Sequence, residues 1–341
     1  MASSEEYFNV KAISNSLLGT LHNPRWLRIK MENPDTEDDE KVHFRIGSAL
    51  DCILTTPEMW DEKFIVIDAK RPMGFMGKFI DNLPSGLDPL LSDTVQYKEA
   101  YDKAGYKAKI ETIISKLWAS TELTEYYLTT RNIDRTKTIL SRDEYDQVLK
   151  AKELVLANEF TEYFFKGGED TDGLTELITQ VPIYFKYKEE ACKALLDGIL
   201  INHEAKLIQP YDLKTIGKSV NEFEYSYLTY GYYRQAAFYE LALQHHEYVQ
   251  QLVRQGYTIA DFVFIVVESK ITSSHPAIIF KTCLKDRVRG ISGGTVRGRY
   301  YKGIDELIDE YKFYRDNNYW NLPKAVYENQ GVINLNIFDN E

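Results

Sequence analysis

The chain has 341 residues, 44% hydrophobic and 27% charged, the make-up of an ordinary globular protein with room for a sizeable core. Its net charge of −11 excludes a basic coat that grips nucleic acid by charge alone; contact with nucleic acid would need a local basic groove or an acidic site filled by metal. The three cysteines, Cys52, Cys192 and Cys283, are scattered without a CxxC, which excludes a disulfide framework, a zinc ribbon and a four-thiolate iron–sulfur cluster, and points to a reducing compartment.

No apolar run approaches the roughly 18–20 residues of a membrane span. The opening "MASSEEYFNV" is acidic and polar, unlike a secretory signal, so a cytoplasmic location is expected. "ISNSLLGTL" predicts a helix start capped by Ser14 or Asn15. "HNPRWLRIKM" predicts a second helix, with Asn23 as cap and Pro24 in the first helical position. "ENPDTEDDEK" reads as a charged linker. "VHFRIGSALDCIL" has helical spacing, Pro57 opens a short helix, and "KFIVID" reads as a strand.

From Pro72 to Phe165 the texture is that of amphipathic helices. The last, "SRDEYDQVLKAKELVLANEFTEYFF", opens on a Ser141/Glu144 capping box. "KGGEDTDG" reads as a loop and a boundary. The expected division is therefore 1–71 (N-terminal helical part), 72–167 (helical insertion) and 168–341 (core). In the core, "ITQVPIYFKY", "CKALLDGILIN" and "AKLIQPYDLKTI" predict three successive strands. "SVNEFEYSYLTYGYYRQAAFYELALQHH" predicts one long helix, with Ser219 and Glu222 as a second capping box. "DFVFIVVES" predicts a strand buried on both faces, "HPAIIFKTC" another strand, and "DELIDEYKFYRDNNYW" a closing helix. The order β-β-β-α-β-β behind a helical block predicts a mixed α/β (α+β) fold with a central mixed sheet.

The chemistry concentrates in "QPYDLKTIG". In a strand, Asp212 and Lys214 project from one face; taken alone they read as a surface ion pair, and with Asp197 as part of a site. Asp197 lies on the preceding strand. A turn at Asn202–Ala205 has even length and puts Asp197 opposite Pro210, diagonal to Asp212, roughly 7–8 Å away at the backbone. Converging carboxylates beside a lysine pack badly without a cation. A divalent metal resolves the conflict, and oxygen donors suit Mg²⁺ or Mn²⁺. On the next helix Gln235 and Tyr239 share a face, with Arg234 before them. "SGGTVRGRYYKG", with Arg297, Arg299 and Lys302, reads as a surface loop or a phosphate-contacting one. His245-His246 read as a helix end facing the helix dipole.

D(x14)D-x-K-T followed by Q-x-x-x-Y resembles the PD-(D/E)xK nuclease superfamily, and more narrowly the RecE-type exonucleases (exodeoxyribonuclease VIII) and RecB-like phage relatives. "ISNSLLGTLHNPRWL", "RIGSALDCILTTPEMWDEKFIV" and the C-terminal strands and helix are similar to that family's flanking segments. The resemblance implies a restriction-endonuclease-like sheet flanked by helices, with a helical insertion. It implies Asp197, Asp212 and the Leu213 carbonyl as ligands of Mg²⁺ or Mn²⁺, Lys214 as catalytic lysine, and Gln235 and Tyr239 as residues holding the strand motif and a DNA phosphate. The family's histidine ligand falls on Asp51, counted from Gly47, with His43 as a substitute. Gln180 sits where relatives carry a glutamate. Arg234, Arg297 and Arg299 would contact substrate.

The implied activity is a metal-dependent exonuclease acting on ends of linear duplex DNA, 5′→3′, in recombination or DNA processing. The implied partners are duplex DNA ends, a single-stranded-DNA annealing protein and further copies of the chain, with no membrane; the setting would be a bacterial or phage-infected cytoplasm. Two other readings stay open: a structure-specific or restriction-like endonuclease, and a nuclease fold that binds DNA or protein without cutting.

Overall fold

The computed structural model describes residues 4–32, 42–87, 94–134, 136–166 and 173–333. Most of the linker read at 32–41 and of the loop read at 166–173 lies outside them. The chain forms two compact units, one of residues 44–150 and one of residues 1–43 with 151–341. The first takes in residues 44–71, which the sequence texture assigns to the N-terminal part.

Within residues 44–150, β1 (Phe64–Ile67) pairs in parallel with β2 (Thr138–Ser141). The capping box forms as expected. Ser141 N–H donates to Glu144 Oε2 at 2.8 Å, and Glu144 N–H to Ser141 Oγ at 3.2 Å. Glu144 also forms a buried ion pair with Arg45. Phe79, Ile80, Tyr97, Leu117, Tyr126 and Tyr127 build this unit's own core.

The other unit is organised by a mixed sheet of β3 (Thr175–Tyr187), β4 (Glu190–Asn202), β5 (Leu207–Ile216), β6 (Thr258–Ile259), β7 (Val263–Glu268) and β8 (Ile278–Lys281). The strand order is β3-β4-β5-β7-β8, and β6 pairs with the start of β5. β5 runs parallel to β7 and antiparallel to β4. All six residues of β7 are buried, as its unbroken apolar run predicts. The fold is therefore mixed α/β, with a central mixed sheet flanked by helices.

One sheet face packs on a core shared with the Asn15–Gly19, Pro24–Glu32, Tyr232–Leu243 and Ile304–Asn317 helices. Ser14 and Asn23 cap as expected, accepting the N–H groups of Leu17 and Trp26 at 3.2 Å each. On the opposite face, Phe164 and Phe165 meet the Tyr211 ring with centroids 5.2 and 5.7 Å apart.

Three expectations need correction. The long helix after β5 is broken into a 3-10 turn, Val220–Glu222, and helices Phe223–Thr229 and Tyr232–Leu243. Gly231 between the helices is left-handed, φ +71°, a conformation that ends helices. Ser219 caps only the 3-10 turn, through Asn221 N–H. The helix begun at Arg142 ends at Leu156, and a new one runs Glu159–Lys166. "SGGTVRGRYYKG" is not a plain loop but an antiparallel hairpin of β9 (Gly294–Val296) and β10 (Arg299–Tyr301).

The Tyr232–Leu243 helix is seated by close contact with the Leu284–Ser292 helix. A Cβ on Gly290 would fall 2.5 Å from Ala237 Cβ and 2.6 Å from the Tyr233 carbonyl. Overpacking of this kind costs about 1–3 kcal/mol. Gly290→Ala is expected to lower the unfolding free energy by that amount, seen as a lower denaturation midpoint at unchanged denaturant slope in chemical unfolding.

Candidate active site

β5 turns its even-numbered residues toward the Tyr232–Leu243 helix: Ile208 and Ile216 join that core. Asp212 and Lys214 therefore project into the same layer. Asp212 is almost fully buried, and Lys214 forms an ion pair with its Oδ2. Gln235 Nε2 donates to Asp212 Oδ1 at 2.8 Å and lies 3.1 Å from the Tyr239 hydroxyl. One helical turn thus spans both polar residues, and the glutamine fixes the carboxylate's second oxygen. The Lys214 ammonium also lies over the Tyr232 ring, 5.1 Å from its centroid, a contact the DxK pattern alone does not reveal.

Asp197 comes in from β4. Its Oδ2 accepts the Leu213 N–H at 2.7 Å, so it clamps the backbone between Asp212 and Lys214. The hairpin register differs from the expected one. Asn202 pairs with Leu207 and Gly198 with Tyr211, so the turn is His203–Lys206. That turn still has four residues, so Asp197 keeps the right parity, and the ladder ends at Gly198–Tyr211, one step before Asp197 and Asp212. The shift has a local cause: Asn202 Oδ1 accepts Ala205 N–H at 2.8 Å, an Asx-type closure, and Lys206 takes φ +50°.

The strands are interrupted at this point. β3 pairs Thr179 with Gly198 and Val181 with Leu196, skipping Gln180, which has φ +49°. Cys192, Ala194 and Leu196 enter the core before Asp197, but Ile199 and Ile201 after it. The inward alternation of β4 slips by one residue there, with no extra residue on either strand, and the left-handed backbone of Gln180 is one that non-glycine residues seldom adopt. Gly198 beside it has no room for a Cβ, because the Tyr211 ring lies over the strand.

Burial pushes the Asp212 carboxyl up, and the Lys214 ammonium and the Gln235 amide draw it back only in part. Burial pushes Lys214 the other way, but the Asp212 carboxylate outweighs it, with Tyr232 and Asp197 adding, so its ammonium stays above the usual lysine range. Both shifts have burial as their largest single cause, opposed or outweighed by the partner. Burial, and then the Asp212 and Asp197 carboxylates, hold the Tyr239 phenol well above its ordinary value, and its hydroxyl accepts from Gln235 Nε2.

Arg234, Arg297, Arg299, His245 and His246 take no part in these contacts. Arg234 is buried, and its Nε donates to Asn15 Oδ1 at 2.9 Å; among the described residues it makes no ion pair. Arg297 and Arg299 are exposed at the β9–β10 turn, Arg297 with φ +50°. His245 stacks on Phe185, and His246 Nδ1 accepts Val249 N–H at the start of the Glu247–Arg254 helix. His246 thus caps a helix start rather than facing a C-terminal dipole. Asp51 belongs to the 44–150 unit, half-buried on the Val42–Thr55 helix, where its carbonyl accepts the Thr55 hydroxyl at 2.8 Å.

Among the described residues no three His, Cys, Asp or Glu side chains gather as a metal-holding group. The oxygen donors that the resemblance names are two carboxylates, Asp197 and Asp212, and the Leu213 carbonyl. That set is hard and anionic, and it fits Mg²⁺, which commonly takes one or two carboxylates and completes its shell with water and phosphate oxygens.

No family model matches the chain, and no curated protein matches it. It is similar to a solved structure from Eubacterium rectale described as a candidate exonuclease, at 10% identity over 98% of this chain and 88% of that one, with a TM-score of 0.45. A likeness so slight carries no argument, and the site stands on this chain's own residues.

Removing one partner of a buried ion pair typically costs about 3–5 kcal/mol, whereas replacing both by apolar or neutral groups is often neutral or stabilising. Lys214→Met is therefore expected to destabilise by about that amount. The double variant Asp212→Asn with Lys214→Met should recover most of the loss, as read by thermal unfolding near neutral pH.

Proposed function

We propose that this chain is a metal-dependent deoxyribonuclease that hydrolyses phosphodiester bonds at the ends of linear duplex DNA. The observation that carries this reading is the buried Asp212–Lys214 pair, fixed by Gln235 and flanked by Asp197 across the hairpin. A packing role alone would favour apolar residues at these positions, since replacing a buried ion pair by well-packed apolar groups is often neutral or stabilising.

Asp197, Asp212 and the Leu213 carbonyl would hold the Mg²⁺ or Mn²⁺. When bound, such an ion supplies Lewis-acid stabilisation of a phosphate and lowers the pKa of a water ligand. Lys214, with its pKa raised, carries its proton at neutral pH. It acts by offering positive charge to the phosphate oxygens rather than by taking a proton from water. Gln235 keeps Asp212 oriented, and Tyr239 offers a hydroxyl proton at the edge of the same cluster. The exonuclease mode, a 5′→3′ direction, a role in recombination, and association with an annealing protein or further copies belong to the proposal through the family resemblance alone. Asp51 as a further ligand is proposed on the same footing, and Arg234, Arg297 and Arg299 as substrate contacts are proposed from their charge and place in the sequence.

With Mg²⁺, the protein is expected to degrade linear duplex DNA and spare closed circles; chelation should stop the reaction. Asp212→Ala and Lys214→Ala should each lower the rate at least about 100-fold. Cutting of closed circles would replace the exonuclease with an endonuclease. Full activity in either variant would refute the site.

A further inference from the structure

The N-terminal segment is laid along the start of β4. Ile13 N–H donates to the Ala191 carbonyl at 2.9 Å, and Lys193 N–H to the Ile13 carbonyl at 2.8 Å. Between this segment, β4 and the Ile304–Asn317 helix opens a cleft of about 640 Å³, within the range of small-ligand sites. Tyr7, Phe8 and Tyr311 present rings to it, and Lys11, Lys30, Lys193 and Arg315 present cations. Among the described residues lining it the one carboxylate is Glu190, already bonded by Arg315 at 2.6 Å. A cationic cleft in a chain of net charge −11 is a local exception.

Lys193 is the sharpest feature. It is only 8% exposed, its ammonium donates to the Tyr7 and Phe8 carbonyls at 2.8 and 3.2 Å, and it lies 4.6 Å from the Tyr7 ring centroid. Among the described residues it makes no ion pair, and burial pushes its pKa down. A buried ammonium facing only carbonyls and a ring is costly. An anion entering the cleft would offset that cost. Phe8, at the rim, packs edge-to-face with Tyr7, centroids 5.3 Å apart, and is still 59% exposed.

We infer that this cleft holds a short single-stranded nucleic-acid segment, its phosphates toward Lys193 and Lys11 and a base against Phe8. Stacking faces combined with a cationic groove are how single strands are held without sequence preference. Lys193 precedes Asp197 by four residues on β4, about 13 Å along a strand, so a few nucleotides would span from the cleft to the nuclease cluster. Only the source of that strand, as substrate or product, rests on the nuclease reading.

The test is fluorescence anisotropy of a labelled oligothymidylate of about eight nucleotides, in chelator so that nothing is cut. Phe8→Ala and Lys11→Glu, both at exposed positions, should each weaken binding at least about fivefold. Lys11→Glu should also flatten the salt dependence. Lys107→Glu, exposed in the other unit, should bind as the wild type does. Absence of binding by the wild type, or equal binding by all variants, would overturn the inference. Digestion of linear duplex by the same proteins with Mg²⁺ separates the two ideas. Cutting with cleft variants unimpaired in oligonucleotide binding sinks the cleft alone, whereas cleft-dependent binding without any cutting sinks the nuclease reading alone.

Discussion

A lysine and an aspartate two residues apart on a central strand, both turned into a packed layer, are the constraint on which this unit depends. Taking Asp212 and Lys214 out of water is costly, and the surrounding elements are arranged to contain that cost. Gln235 donates to one carboxylate oxygen while Lys214 takes the other. Tyr232 and Phe264 put rings near the ammonium, at 5.1 and 6.0 Å. The break at Gly231 ends one helix and starts the next so that Tyr232, Gln235 and Tyr239 fall on successive turns above β5.

The opposite face of the sheet serves the same site from behind. Tyr211 lies against Gly198 and under Phe164 and Phe165, which holds β4 and β5 together next to the two aspartates. At Asp197 the alternation of β4 slips, and Gln180 on β3 adopts a left-handed backbone. Irregularity of this kind in an otherwise regular sheet is expected where a side chain must be re-aimed. It frees Asp197 to reach the Leu213 N–H instead of lying in the ladder. A carboxylate bonded to the backbone between Asp212 and Lys214 fixes their separation by main-chain geometry, without depending on long flexible side chains.

Much of this was legible from residue order because it follows strand and helix periodicity. The i, i+2 spacing put Asp212 and Lys214 on one face. The i, i+4 spacing put Gln235 above Tyr239. The polar stretch after Ile201 located the turn with the correct parity, and Ser141 with Glu144 marked a helix start. What was not legible depends on contacts that local pattern does not encode. Asn202 closing on Ala205 moves the turn by one residue and the pairing register by two. The left-handed state of Gly231 divides a continuous helical pattern. Gly294–Tyr301 forms a hairpin although its glycines read as loop. The seating of Tyr7 and Phe8 on Lys193 joins segments more than 180 residues apart, and the lysine in "ACKALLDG" gave no sign of it beyond being the odd charge in an apolar strand. The helical texture change at Pro72 likewise missed that residues 44–71 pack with the helices that follow, because β1 finds its partner only at β2.

The central claim is that Asp197 and Asp212 form a metal site whose cation answers their charge, with Lys214 as its protonated neighbour. Binding of Mn²⁺ followed by electron paramagnetic resonance tests this without any assumption about substrate. The wild type is expected to bind Mn²⁺ competitively with Mg²⁺. Asp197→Asn and Asp212→Asn are each expected to weaken binding at least about tenfold, the size of a lost charged ligand contact of about 1.4 kcal/mol or more. Mn²⁺ binding that is absent in the wild type, or unchanged in both variants, would contradict the account.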